Sequence, residues 1–226
     1  MKKITLLAVA IAATTSAAAA KLEVLTEHNP PFSYSSGAEL KGIVTTAVRD
    51  LLTQAGVEST FAVMKWEDAY AKAQSTANTC IYGTARTEAR EKLFVWYGPL
   101  AQNTWALYGL PSFDKKLATA KDAGSYKIGS VKSDAKADFM RAEGAKNIVE
   151  AGTDEENPKR LVLPKTDPNS IDLWITSTVT ANEVAAKAGV KELKEVLVVR
   201  KQPLFLACNP RTDKATLDKL TGASKK

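Results

Sequence analysis

The sequence predicts an α/β chain folded as two lobes that are joined by two crossing strands. Three observations carry this expectation. Short apolar runs alternate with amphipathic helical patterns from residue 21 to about residue 83, a pattern that favours a mainly parallel sheet flanked by helices. The alternation starts afresh at YKIGSVKS (126–133), and a long apolar segment, EVLVVRKQPLFLACNP (195–210), follows the second series as a return path. A chain that leaves one lobe and comes back to it makes two lobes with a cleft between them. No internal repeat is present, and no low-complexity segment lies beyond the first twenty residues.

Those twenty residues, MKKITLLAVAIAATTSAAAA, have two lysines, an apolar stretch from Ile4 to Ala13 and an Ala-x-Ala end. They read as a secretory signal peptide, with an apolar core of about ten residues where a membrane span needs roughly 20. The mature chain is therefore expected in the periplasm. Without Lys2 and Lys3 the basic count falls from 31 to 29 against 25 acids, and the net charge from +6 to +4. The lysines are scattered among acids (DKKLATAKDAGSYK, KELKE), so the concentrated basic face of a nucleic-acid binder is missing. Only one histidine is present and no CxxC, which argues against a zinc site built by the protein, and no cofactor is expected. In an oxidising compartment Cys80 and Cys208 are expected to pair; two buried free thiols are the alternative.

KLEVLTE (21–27) alternates apolar and polar side chains and reads as a strand that ends at His28, Asn29, Pro30 and Pro31. After Gly42, the residues Val44, Ala47, Val48, Leu51, Leu52 and Ala55 recur at helical spacing until Gly56. STFAVM (59–64) predicts a strand, WEDAYAKAQS (66–75) a helix and CIYG (80–83) a strand. Thr87 is placed to cap a further helix, which puts Arg90 in its first turn, where exposed amides and the helix dipole disfavour a cation. TWALYGL (104–110) is the outgoing crossing strand. In the second series, a helix runs through DAKADFMRAEG, NIVEA is a strand, Asn157 to Asn169 a Pro-rich connection, IDLWITS a strand and TANEVAAKAG a helix. A short helix is expected after Thr212. The first lobe thus comprises 21–106 and 200–226, and the second 107–199.

Several segments in this order resemble the bacterial family 3 solute-binding proteins, the periplasmic receptors of amino-acid-type ABC importers. They are PPFSY (30–34), Gly42, Trp66, TARTEAREKLFVWYGPL, SYKIGSVKSDAKADFM and IDLWIT, and together they span nearly all of the mature chain. QSTANTC, in place of the usual Gly and Asp before the third strand, marks a divergent branch. The resemblance implies the type II periplasmic-binding-protein fold, a small carboxylate-bearing ligand held between the lobes, an ABC permease as partner, and a monomer.

It also implies the site. Arg90 matches the arginine that grips the ligand carboxylate, which would make a cation at a helix start half of an anion trap; the alternative is an exposed arginine paired with Glu88 or Glu91. Trp66 matches an aromatic that stacks on the ligand, or else it is a core residue. Asn29, Tyr34, Gly83, Thr84 and Ala85 lie on strand-end loops, where open α/β sheets bind ligands. His28 either touches the ligand or finishes a turn, and Phe32 packs. In the second lobe Ser133 and Asp134 match contact positions, with Asp134 either holding a cation or capping the helix. Ser177 aligns where amino-acid receptors carry the acid that holds the ligand ammonium, and Glu183 lies too far along its helix to replace it. A ligand without an amine therefore stays open beside an amino acid. The principal reading is a binding protein that closes by a hinge near 104–108 and 197–203. The alternatives are a periplasmic dehydratase of cyclic carboxylates, with Asp134 or Glu27 as general acid, and a sensory protein without transport; a serine hydrolase is weaker, since His28 has no GxSxG partner.

Overall fold

The computed structural model describes residues 21–225; the leader expected over 1–20 lies outside the described residues. Strand β1 (Leu22–Thr26) forms as expected ahead of His28 and the proline pair, and buries Leu22, Val24, Leu25 and Thr26, so both its faces are covered where strict alternation predicts one. A small hairpin follows, β2 (Tyr34–Ser36) and β3 (Glu39–Lys41). Its one sequence signal is the Ser36-Gly37 step at the turn, where Gly37 has φ 63°; its three-residue strands bury almost nothing and carry no pattern. Helix α1 (Ile43–Ala55) buries Val44, Val48, Leu51 and Leu52 and ends in a left-handed Gly56. At its start Gly42 has φ 127°, and a Cβ there would lie 2.2 Å from the Phe32 carbonyl oxygen. Glycine is thus required both by backbone conformation and by the close approach of the preceding loop.

β4 (Ser59–Val63), α2 (Trp66–Ser75) and β5 (Thr79–Ala85) complete the first series. The segment after β5 differs from the expected helix. Glu88–Leu93 winds as a 3₁₀ turn, and Thr87 offers it no side-chain cap. The turn is too short to pay back the nucleation of an α-helix before Phe94 leaves in an extended conformation.

The outgoing crossing strand is longer than TWALYGL: β6 runs from Val95 to Gly109, 15 residues. Gly98 and Pro99 read locally as a break, yet β10 (Lys194–Cys208) pairs with this strand along its whole length and absorbs the irregularity as a register shift between Leu204 and Leu206. Between them lie β7 (Lys127–Val131), α3 (Ala135–Ala142), β8 (Asn147–Ala151), α4 (Glu156–Leu161), β9 (Leu173–Ser177) and α5 (Ala181–Lys187); α6 (Lys214–Ala223) follows β10. Helix α4 occupies the start of the expected Pro-rich connection. Pro158 is in its first turn, where a missing N–H removes no helical bond.

The strands form one eight-stranded sheet in the order β4-β1-β5-β10-β6-β9-β7-β8. β1, β4 and β5 are parallel to one another, as are β7, β8 and β9, and the antiparallel pair β6 and β10 crosses between the two sets. Two lobes result. One core packs α1 and α6 against Leu22, Val24, Tyr82 and Leu206; cores of the other lobe gather Leu107, Ile128, Met140, Leu173 and Ile175 on one side and Leu161, Ile171, Trp174 and Val184 on the other. Cys80 of β5 stands opposite Cys208 of β10, and the two form a disulfide with S–S 2.02 Å, so the free-thiol alternative is set aside. The bridge ties the returning strand into the first lobe's sheet. Among the described residues no helix is long and apolar enough to cross a membrane.

Candidate functional site

Parallel strands deliver their C-terminal ends to one edge, and there the two lobes meet. The first lobe contributes Glu27 and Asn29 after β1, Gly83 and Ala85 from β5, Trp66 at the start of α2, and Arg90 from the 3₁₀ turn. From the second come Asp134, Ala135 and Lys136 at the start of α3, while Asn103, Trp105 and Leu204 project from the crossing strands. They enclose a cavity of about 20 Å³, room for one water-sized molecule. The lobes are therefore closed on each other.

Arg90 points inward and is only 3% exposed. Its Nη2 donates to the Ser133 carbonyl across the cleft at 2.9 Å, and its guanidinium lies 4.7 Å from the ring centroid of Tyr70 and 5.5 Å from that of Trp66. The alternative pairing with neighbouring acids does not form. Glu91 instead takes both a 2.7 Å and a 2.5 Å bond from Arg86, and among the described residues no carboxylate is ion-paired with Arg90. A buried guanidinium with spare donors and no acid of its own is what an anion trap requires.

Trp66 is a core residue that also borders the cavity. It packs with Leu25, Ala69 and Phe94 and stacks on Tyr70, and it also lines the cavity and donates from Nε1 to the same Ser133 carbonyl at 3.0 Å. Ser133, at φ 59°, therefore latches the lobes through its main chain, while its side chain does not line the cavity. Asp134 caps its helix, and the cation beside it belongs to the chain itself. One oxygen caps α3 by accepting from the Lys136 amide at 2.7 Å, and the other accepts from Lys136 Nζ at 2.7 Å.

Of the other expected contacts, Asn29, Gly83 and Ala85 lie in the lining, and Tyr34, Thr84 and Ser177 do not. Thr84 is buried with its hydroxyl on the Ile81 carbonyl, within its own strand. Ser177 is buried and donates to Asn103 Oδ1 at 2.6 Å, joining β9 to β6. Tyr34 and His28 line a separate outer groove opposite Glu183 and Lys187 of α5.

Asn103, Trp105, Lys136 and Leu204 escaped the sequence reading, and Glu27 was considered only as a general acid. One signal was available. Lys136 is a cation in the first turn of a helix, the same anomaly that singled out Arg90. Glu27 has its carboxyl in the cleft without a hydrogen-bond partner among the described residues. Burial first, and then the Asp134 charge, push its pKa up to about 8 against the partial relief of Lys136. Asp154, behind the cavity, accepts from Trp174 Nε1 at 2.8 Å and Thr176 Oγ1 at 2.6 Å, and burial raises its pKa against the opposing pull of Lys136. Burial also disfavours the charges of Asp134 and Lys136. Each outweighs that cost for the other, so Asp134 titrates below its ordinary range and Lys136 above. Among the described residues no group of three or more His, Cys, Asp or Glu side chains is placed to hold a metal ion.

No protein-family model matches the sequence, and no curated protein sequence does. Solved structures match almost end to end. A histidine kinase sensor domain with similarity to periplasmic binding proteins superposes with TM-score 0.77 at 14% identity, covering 92% of this chain and 90% of that one. The fold is that of the periplasmic binding proteins. Holo ArgBP from T. maritima is similar at TM-score 0.73 and 15% identity, over 91% of this chain and 88% of its own. The arginine-, lysine-, histidine-binding protein ArtJ from Geobacillus stearothermophilus is similar at TM-score 0.72 and 18% identity, over 90% and 89%. In a periplasmic-binding-protein fold the cleft between lobes is the place where closure can enclose a small solute.

Proposed function

We propose that this chain is a periplasmic solute receptor that captures a small carboxylate-bearing ligand between its lobes, 21–106 with 200–226 and 107–199, and presents it to an ABC importer. One observation carries the reading: Arg90, buried at the lobe junction, has a main-chain carbonyl and two aromatic rings around it and no paired acid. A ligand carboxylate would take the free side of the guanidinium, with Asn29 and the β5 backbone at Gly83 beside it. Such a ligand stabilises the closed form by contacts from both lobes, so closure is a shift of population and involves no covalent chemistry. The cavity is smaller than any amino acid, so entry requires the lobes to part around β6 and β10.

The test is a thermal-shift screen of amino acids, dicarboxylates and aromatic acids on the mature chain and on Arg90→Met. A ligand at a hundredfold excess over its Kd stabilises by about 2.7 kcal/mol, and the shift should vanish in the variant. Shifts equal in both proteins would remove the reading.

A second reading has one observation in its favour. Glu27, protonated near neutral pH, is a proton donor in the cleft, as a dehydratase of cyclic carboxylates would need; Asp134, held ionised by Lys136, is not. Turnover of such acids by the purified protein decides between catalysis and binding. A sensory role keeps the same ligand chemistry and differs only in the partner.

A further inference from the structure

We infer that Lys136 supplies, from within the chain, the ammonium that an α-amino acid would otherwise bring, so that the cleft selects carboxylates with no amino group. The inference deepens the receptor reading and rests on it. A site for a zwitterion needs a free guanidinium for the carboxylate and a free acid for the ammonium. Here the first is present and the second is taken.

The acid lining the second-lobe side of the cavity is Asp134, and both its oxygens are engaged by Lys136, one through the amide and the other through Nζ, each at 2.7 Å. The pair is deeply buried, with only 10% and 11% of the two side chains exposed. The lysine reaches into the cavity alongside Trp105, its Nζ 5.9 Å from the ring centroid, and the Asp154 and Glu27 carboxyls face the same ammonium. At the position expected for an ammonium-holding acid, Ser177 is committed to Asn103. Glu27, the remaining carboxyl in the lining, is held protonated near neutral pH by burial and by the Asp134 charge, and a neutral acid gives a guest ammonium little.

An incoming ammonium would therefore have to displace Lys136 from Asp134 and leave a buried cation without its partner, which is the strongly unfavourable way to break such a pair. A hydroxyl at the same carbon carries no such requirement. It can donate or accept among Asn29, Asn103 and Glu27 while Arg90 holds the carboxylate.

Three pairs of probes that differ only by amine against hydroxyl decide the point: L-alanine and L-lactate, L-glutamate and L-2-hydroxyglutarate, L-phenylalanine and L-phenyllactate. Kd is measured by calorimetry at pH 7 on the mature chain, on Lys136→Met and on Lys136→Gln, which keeps a donor to Asp134 should the methionine variant fold poorly. For the pair that fits the cleft, the hydroxy acid should bind the mature chain at least tenfold more tightly than the amino acid, and either variant should cut that preference by tenfold or more. Tighter binding of the amino acid to the mature chain, or a preference untouched in the variants, overturns the lysine's role and leaves the receptor reading standing. Binding of none of the six probes counts against the carboxylate receptor itself, and the inference falls with it.

Discussion

Arg90 Nη2 of the first lobe donates at 2.9 Å to the main-chain carbonyl of Ser133 in the second, the same oxygen that accepts Trp66 Nε1 at 3.0 Å. One carbonyl therefore gathers the guanidinium and the indole that line the cleft. Because the two donors share an acceptor, they should not act independently. Arg90→Met is expected to cost about 1.5–3 kcal/mol and Trp66→Phe about 1 kcal/mol, and the double variant should cost less than the two together. Urea denaturation of the four proteins checks this; strict additivity would show that the latch is not shared.

Glu27 makes stability depend on pH. Its carboxyl titrates near 4.5 in an unfolded chain and at about 8 in the folded one, so between these values the folded state holds a proton that the unfolded state has released. Stability should fall as pH rises through that window, by up to about 1.4 kcal/mol per pH unit. Glu27→Gln, which stays neutral, should flatten the slope and melt higher than the wild type at pH 8. Parallel melting curves from pH 5 to 8 for the two proteins would refute the assignment.

The disulfide joins residues 128 apart across β5 and β10. Replacing both cysteines with alanine is expected to cost about 2–5 kcal/mol, mostly through the freedom regained by the unfolded chain. Alanine suits the test because both positions are fully buried and a hydroxyl there would lack a partner. Denaturant midpoints of oxidised, reduced and alanine proteins give the measurement, and the last two should agree.

Gly42→Ala should be among the most damaging small substitutions. The added methyl would meet the Phe32 carbonyl oxygen at 2.2 Å while the backbone stays at φ 127°. A loss of more than about 2 kcal/mol is expected. Gly222→Ala, in α6 with open space around it, should be neutral or slightly stabilising in the same assay.

The amphipathic spacing of Val44, Val48, Leu51 and Leu52, the glycine that ends that helix and the place of β1 ahead of the proline pair were legible in the chain, because helix periods and chain breakers are local properties. Arg90 stood out only against an expected helix; the 3₁₀ turn that forms there carries it in its last turn. The hairpin β2–β3, the full length of β6 and the placement of Tyr34 outside the cleft were not legible. The last two follow from partners far away in sequence: β10 carries β6 past Gly98 and Pro99, and α5 faces Tyr34 across an outer groove; the hairpin pairs locally, but its strands are too short and exposed to carry a pattern.

The sequence by itself determined an α/β chain whose two series of strands and helices build two lobes, because backbone periodicity is settled within a few residues. Only the tertiary structure decided that Glu27 and Lys136 share the cavity with Arg90, and that Asp134 is already neutralised. Charges about fifty to a hundred residues apart interact through distance and desolvation, which are set when the lobes close and leave no trace in spacing along the chain.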